Sequence, residues 1–97
     1  MRAVFVVFNQ ALSDQVADAI AKAGLRGFTR WTGVQGCGSD TGEPHLGMHT
    51  WPSVNAATLL VADEASASEL VQRLDALNAA SPRQGLRVFG WDVEALV

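Results

Sequence analysis

The sequence predicts an α+β sandwich: a four-stranded antiparallel sheet with two helices packed on one of its faces. Three observations predict it. Four short runs rich in Val, Phe, Leu and Trp have the length and composition of strands. Two other segments carry apolar residues at the three- and four-residue spacing of a helix. The segments follow one another as strand, helix, strand, strand, helix, strand.

The first run, 2–8, is nearly all apolar. Ala3, Phe5 and Val7 alternate with Val4, Val6 and Phe8, so both of its faces are apolar and both need cover. A helix is predicted over 13–24. Ser13 would be its N-cap, Asp14 would lie in the first turn where negative charge is favoured, and Val16, Ala19, Ile20 and Ala23 would form the buried stripe. Gly24 follows at the place of a left-handed cap. The second strand is predicted over 28–34. Its alternation is mixed, with Phe28, Arg30, Thr32 and Val34 on one face and Thr29, Trp31 and Gly33 on the other, as suits an edge. The third strand, 53–62, is apolar on both faces around Leu59, Leu60 and Val61. Ser66 and Glu69 have the spacing of a capping box for a second helix over 67–80 with Leu70, Val71, Leu74 and Leu77 as its stripe. Pro82 ends it, and 86–93 is the fourth strand.

Composition narrows the class. A chain of 97 residues is expected to form one domain, 1–97. With 48% hydrophobic and 18% charged residues it is globular rather than disordered. The net charge of −3 and the seven scattered Lys and Arg leave no basic patch, which argues against nucleic acid as a partner. A single cysteine, Cys37, forms no internal disulfide and fits a reducing compartment. No apolar run approaches the ~20 residues that span a bilayer. The first residues lack the length and cleavage site of a signal peptide. The expectation is a cytoplasmic protein that is not membrane-inserted.

The order βαββαβ is the ferredoxin-like pattern. In it strands one and three are central, and these are the two runs that read as apolar on both faces. The helices cover one face of the sheet. The other exposes apolar residues, which marks an interface, so a homo-oligomer is expected.

The stretch 27–52, GFTRWTGVQGCGSDTGEPHLGMHTWP, concentrates the unusual residues. Its run 34–42, VQGCGSDTG, resembles the V-x-G-x-G-x-x-x-G that opens the mobile T-loop of the PII-like signal-transduction superfamily, and Gly27-Phe28-Thr29 is similar to the lead-in to that strand. The order of elements agrees along nearly the whole chain. The resemblance implies a trimer with a ligand cleft between subunits, and a T-loop, here 36–52, that docks on a partner such as a membrane transporter or efflux pump. It implies an adenine nucleotide as a candidate ligand, with Thr29, Gly36, Gly38, Asp40, Arg83, Gly85 and Arg87 as candidate ligand-binding residues. This chain is identified as a divergent member, not a nitrogen-regulatory PII of the usual kind. Asp40 stands where those members have a glutamine that helps hold 2-oxoglutarate, and a carboxylate there repels a dianion. The chain has no tyrosine to carry the loop's regulatory modification. The stretch 81–87, SPRQGLR, replaces a longer glycine-rich phosphate grip. Arg83 and Arg87 are candidates to meet phosphates, or solvent-facing residues that flank a strand.

The loop also holds residue types that ligate zinc, copper or nickel: Cys37, Glu43, His45 and His49. A divalent or copper ion is therefore the second candidate ligand, and a metal-binding accessory or sensor protein the alternative function. The plain readings are that His45 fills a turn beside Pro44, that His49 is a polar residue at a strand entry and that Cys37 packs. Trp31, Trp51 and Trp91 either line a pocket or are core or subunit-packing residues. Arg30, next to Trp31, is a candidate partner for an acid across an interface or for an anion. A Cys–His pair with an acid is also the raw material of an enzyme. However, so glycine-rich a frame is poor support for catalysis and no catalytic motif is present, so a regulatory protein is expected rather than an enzyme.

Overall fold

The computed structural model describes residues 1–37, 40 and 42–97. The strands are β1 (Arg2–Asn9), β2 (Thr29–Val34), β3 (Asn55–Ala62) and β4 (Arg87–Asp92); the helices are α1 (Ser13–Lys22) and α2 (Glu64–Ala80). Two 3-10 turns, Gln10–Leu12 and Pro82–Gln84, precede α1 and β4. The sheet is antiparallel in the order β2-β3-β1-β4. The two strands that read as apolar on both faces are the central pair.

Alternation along β1 sorts the layers. Val4, Val6 and Phe8 point to the helices and join Ala56, Leu60 and Ala62 of β3 in the core. Above them lie Val16, Ala19 and Ile20 of α1 and Ala67, Leu70 and Leu74 of α2. Full burial of side chains such as Phe8, Leu70 and Leu74 contributes about 1.5–3 kcal/mol each.

Both helix starts differ from expectation. Ser13 is the first residue of α1 and Leu12 is the N-cap. Asn9 accepts from the Ala11 N–H and opens a 3-10 turn that runs straight into the helix, while Ser13 Oγ donates back to Gln10 O at 2.6 Å. The helix ends as predicted at a left-handed Gly24, φ +78°, with the Gly24 N–H on Ala21 O and the Leu25 N–H on Ile20 O, the paired bonds of a Schellman motif. Helix α2 begins at Glu64, three residues before the expected 67, because Asp63 is the cap rather than Ser66. Asp63 Oδ1 accepts from the Ser66 N–H at 2.8 Å and Oδ2 from Ser66 Oγ at 3.0 Å. Glu69 does not complete a capping box; it pairs with Arg73 one turn on, at 3.1 Å.

The Ser66 N–H, followed by the Ser66 hydroxyl, holds the Asp63 carboxyl below its ordinary value of 3.8. The fold therefore favours the charged form. The cap's contribution is complete above that ordinary value and is lost as pH falls through the lowered folded value. Asp63→Asn keeps an acceptor but no charge. Its melting temperature is expected to lie below that of the parent at neutral pH, and the gap to close as melts are taken down to about pH 2.

The edge strand β2 carries an irregularity that pattern reading did not show. Trp31 pairs with Ala57 but Val34 with Asn55, so β2 has one extra residue at this point. Gly33, at φ +65°, occupies the bulge, and its N–H donates to Gln10 Oε1 at 2.7 Å. The bulge reverses the alternation. Val34 leaves the face of Arg30 and joins that of Trp31, where both line a shallow apolar hollow with Phe5, Val7 and Ala57. Arg30 has no acidic partner among the described residues; its guanidinium stacks over the Phe28 ring at 4.9 Å.

The face of the sheet away from the helices is uncovered. Register places Phe89 beside Phe5 and Leu59, Trp91 beside Ala3 and Val61, and Trp31 beside Ala57 and Val7. Trp31 is 46%, Trp91 47% and Phe89 55% exposed. Two of the three tryptophans are thus on an open apolar face and not in the core. Trp51 is half-buried in the loop. Among the described residues no helix is long and apolar enough to cross a membrane.

Candidate functional site

Where β1 ends and β3 begins, the sheet stops on a pair of asparagines. Asn9 and Asn55 are register partners, and both are buried. A polar side chain at the end of an apolar strand must find partners there. Asn9 Nδ2 donates to Gln84 Oε1 at 2.8 Å, tying β1 to the 3-10 turn before β4. Asn55 Oδ1 lies 2.7 Å from His45 Nδ1. Because that oxygen can only accept, the pairing places the ring proton on Nδ1.

His45 is 4% exposed and is held from three sides. Its backbone exchanges both hydrogen bonds with Gly36: the Gly36 N–H donates to His45 O at 2.9 Å and the His45 N–H to Gly36 O at 2.7 Å. This pair closes the mouth of the long loop. Gly36 leaves no room for a side chain, since a Cβ there would lie 2.5 Å from Asn55 Nδ2. On the other side the imidazole lies near Gly85, where an added Cβ would be 3.5 Å from His45 Cε1. Gly85 has φ +71° and turns the chain from the 3-10 turn into β4. Beyond the mouth, Gln35 Nε2 donates to Leu46 O at 2.9 Å. A small hairpin follows, with the Gly47 N–H on Ser53 O and the Met48 N–H on Trp51 O.

A model of the family described as "Nitrogen regulatory protein P-II" matches residues 1–97. The chain belongs to this P-II family. Among solved structures the chain is similar to CPII from Thiomonas intermedia, a nitrogen regulatory PII-like protein bound to ADP, AMP and bicarbonate. The identity is 17%, over 95% of this chain and 84% of that one, with a TM-score of 0.77. The apo form of CPII is similar at 15% identity, over 95% and 87% of the two chains, with a TM-score of 0.71. A putative PII-like signaling protein from Thermus thermophilus is similar at 15% identity, over 95% and 85%, with a TM-score of 0.67. At these identities the likeness is one of fold. No curated protein matches the sequence.

In this P-II chain the expected ligand-binding residues divide into groups. Gly36 and Gly85 come together, one on each side of His45. Arg83, in the 3-10 turn, and Arg87, at the start of β4, are exposed on either side of the buried Leu86. Thr29 opens β2 opposite Leu59, roughly 20 Å of strand from Gly36. Asp40 is exposed in the loop, and Gly38 lies outside the described residues.

The candidate metal ligands are less concentrated. Cys37, Glu43 and His49 are exposed, whereas His45 is buried on Asn55. Cys37 Sγ reaches Gly42 O at 3.5 Å. Among the described residues no three His, Cys, Asp or Glu side chains gather where they could hold a metal ion. Sequence reasoning passed over Asn9, Asn55 and Gln84. The available signal was an asparagine at the end of each central apolar run, where a polar side chain marks the rim of the sheet.

Proposed function

We propose that this P-II family protein is a trimeric regulatory adaptor that senses an adenine nucleotide and acts on a partner, such as a membrane transporter or efflux pump, through its 36–52 loop. The observation that carries this reading is the junction at His45, where the mouth of the loop and the turn 82–85 meet. The nucleotide would lie between protomers, with Gly36, Gly85, Arg83 and Arg87 from one and Thr29 from the next. Arg83 and Arg87 would meet its phosphates through charge-assisted bonds. CPII, of the same fold, binds ADP and AMP. Asp40 and the absence of tyrosine favour a signal other than that of the nitrogen-regulatory members.

Thermal melts with ADP, ATP and AMP test this. A nucleotide present at about 100 times its Kd stabilises the folded protein by about 2.7 kcal/mol, which is a rise of roughly 10–20 °C. Removing both guanidinium groups with Arg83→Ala and Arg87→Ala is expected to weaken the winning nucleotide by roughly a hundredfold or more, at ~1.5–3 kcal/mol for each bond to a charged group. A melting temperature indifferent to all three nucleotides would sink the nucleotide reading.

A further inference from the structure

We infer that the end of the sheet remote from the loop rim holds a second small-molecule site, built to take a free amino acid with an aliphatic side chain. The inference is independent of the nucleotide reading. Strand β1 runs from Arg2 at this end to Asn9 at the rim, and the register partner of Arg2 is Ala62, where β3 stops just before α2. A hollow of about 490 Å³ lies here, between the first two turns of α2, the start of β1 and the edge strand β4. Small-molecule sites are about 300–1,000 Å³.

The lining of the hollow is sorted by chemistry. Arg2 stands on the sheet side, and its Nη1 donates to Oδ1 of its β4 register partner Asp92 at 3.0 Å. That bond fixes the guanidinium and uses one of its five N–H donors. Gly90 gives the guanidinium room, since a Cβ there would lie 3.3 Å from Arg2 Nη2. Glu64 and Ser68, one turn apart on α2, line the helix side. Among the described residues neither side chain has a hydrogen-bond or ion-pair partner. The floor is apolar, from Val4, Ala67 and Val88. Arginine and glutamate thus share one hollow without pairing, because Arg2 is held by Asp92.

Unused guanidinium donors, an unpaired carboxylate and an apolar floor together complement a zwitterion with an aliphatic side chain. The ligand's carboxylate would accept from the remaining Arg2 N–H groups. Its ammonium would donate to Glu64 and to Ser68 Oγ. Its side chain would lie on Val4, Ala67 and Val88 and bury apolar area there. A ligand with only a negative charge is opposed by Glu64, and one with only a positive charge by Arg2. The zwitterion satisfies both.

L-Leucine and L-valine are the probes. The comparison compounds are 4-methylpentanoate, which is leucine without its ammonium, and 3-methylbutylamine, which is leucine without its carboxylate. Each is titrated into the full chain without nucleotide, and amide chemical shifts are read by NMR. At least one amino acid is expected to move Ser68, Val88 and Gly90 saturably, while Gly36 and Gly47 at the far rim stay in place. Both comparison compounds should bind at least about tenfold more weakly than leucine, the loss of one bond to a charged group. Glu64→Gln should weaken the amino acid by a similar factor without weakening 4-methylpentanoate. Arg2→Gln should weaken the amino acid without weakening 3-methylbutylamine. The dispersion of the same spectra shows that each variant is folded. The inference is overturned if neither amino acid gives saturable shifts at these amides in the millimolar range. It is equally overturned if a comparison compound binds as tightly as leucine, or if Glu64→Gln leaves the amino acid's affinity unchanged. No nucleotide enters the experiment, so its failure leaves the nucleotide reading untouched.

Discussion

Phe89→Asp combined with Trp91→Asp is expected to turn the proposed trimer into monomers of 10.3 kDa. The two side chains stand on β4 on the uncovered face, in rows with Phe5 and Leu59 and with Ala3 and Val61. Neither belongs to the core beneath the helices, so the protomer should fold without them. At an interface, truncating a central aromatic anchor costs about 2 kcal/mol or more, and two such losses weaken association by roughly a thousandfold. The introduced carboxylates add the cost of burying unpaired charge. Light scattering at micromolar concentration reads the mass directly, and circular dichroism checks that the protomer is still folded. If the parent protein is itself a monomer under these conditions, or if the double variant keeps the parent mass, the open face is not the interface and the proposed trimer fails with it.

Gly36→Ala carries the second large effect. The added Cβ would lie 2.5 Å from Asn55 Nδ2, closer than non-bonded atoms approach. Asn55 cannot swing away without breaking its bond to His45, and Gly36 cannot retreat without breaking its two bonds to the His45 backbone. One of these must give. Overpacking of this kind costs about 1–3 kcal/mol, and each kcal/mol is about 4–8 °C of melting temperature in a domain of this size. Gly27→Ala is the comparison, because nothing lies within 4 Å of its Cβ position and its φ is not positive; it should melt with the parent. Equal melting of the two variants would show that the loop mouth is looser than the geometry at Asn55 implies.

The layer structure was legible because its signals are redundant. An apolar run with two greasy faces, as in β1, has few places to go except the centre of a covered sheet, and the helical stripes of α1 and α2 supply the cover on one side. What pattern could not resolve was competition between neighbouring polar residues. Ser66 and Asp63 both suit a helix start. Asp63 took the cap by accepting from both the backbone N–H and the hydroxyl of Ser66, and Glu69, one turn further into the helix, pairs with Arg73 instead. Alternation failed in β2 at the extra residue around Gly33, a backbone event that hydrophobicity does not encode. The third strand starts at Asn55 instead of 53 because Ser53 and Val54 give their carbonyls to Gly47 and Gln10. At the candidate site, His45 stood out as a rare residue type in a glycine-rich loop. Asn9, Asn55 and Gln84 did not, since nothing local connects residues at positions 9, 55 and 84; only the folded sheet brings them to one rim.

The Gly36–His45 pair has a consequence for how such a protein can change. Both ends of the segment 37–44 are pinned at neighbouring points on a rigid rim, so the eight residues between them form a cassette. Lengthening a closed loop is thermodynamically mild, about 0.6 kcal/mol for each doubling. Sequence and length within the cassette can therefore change while the port that holds it, and the core behind that port, stay as they are.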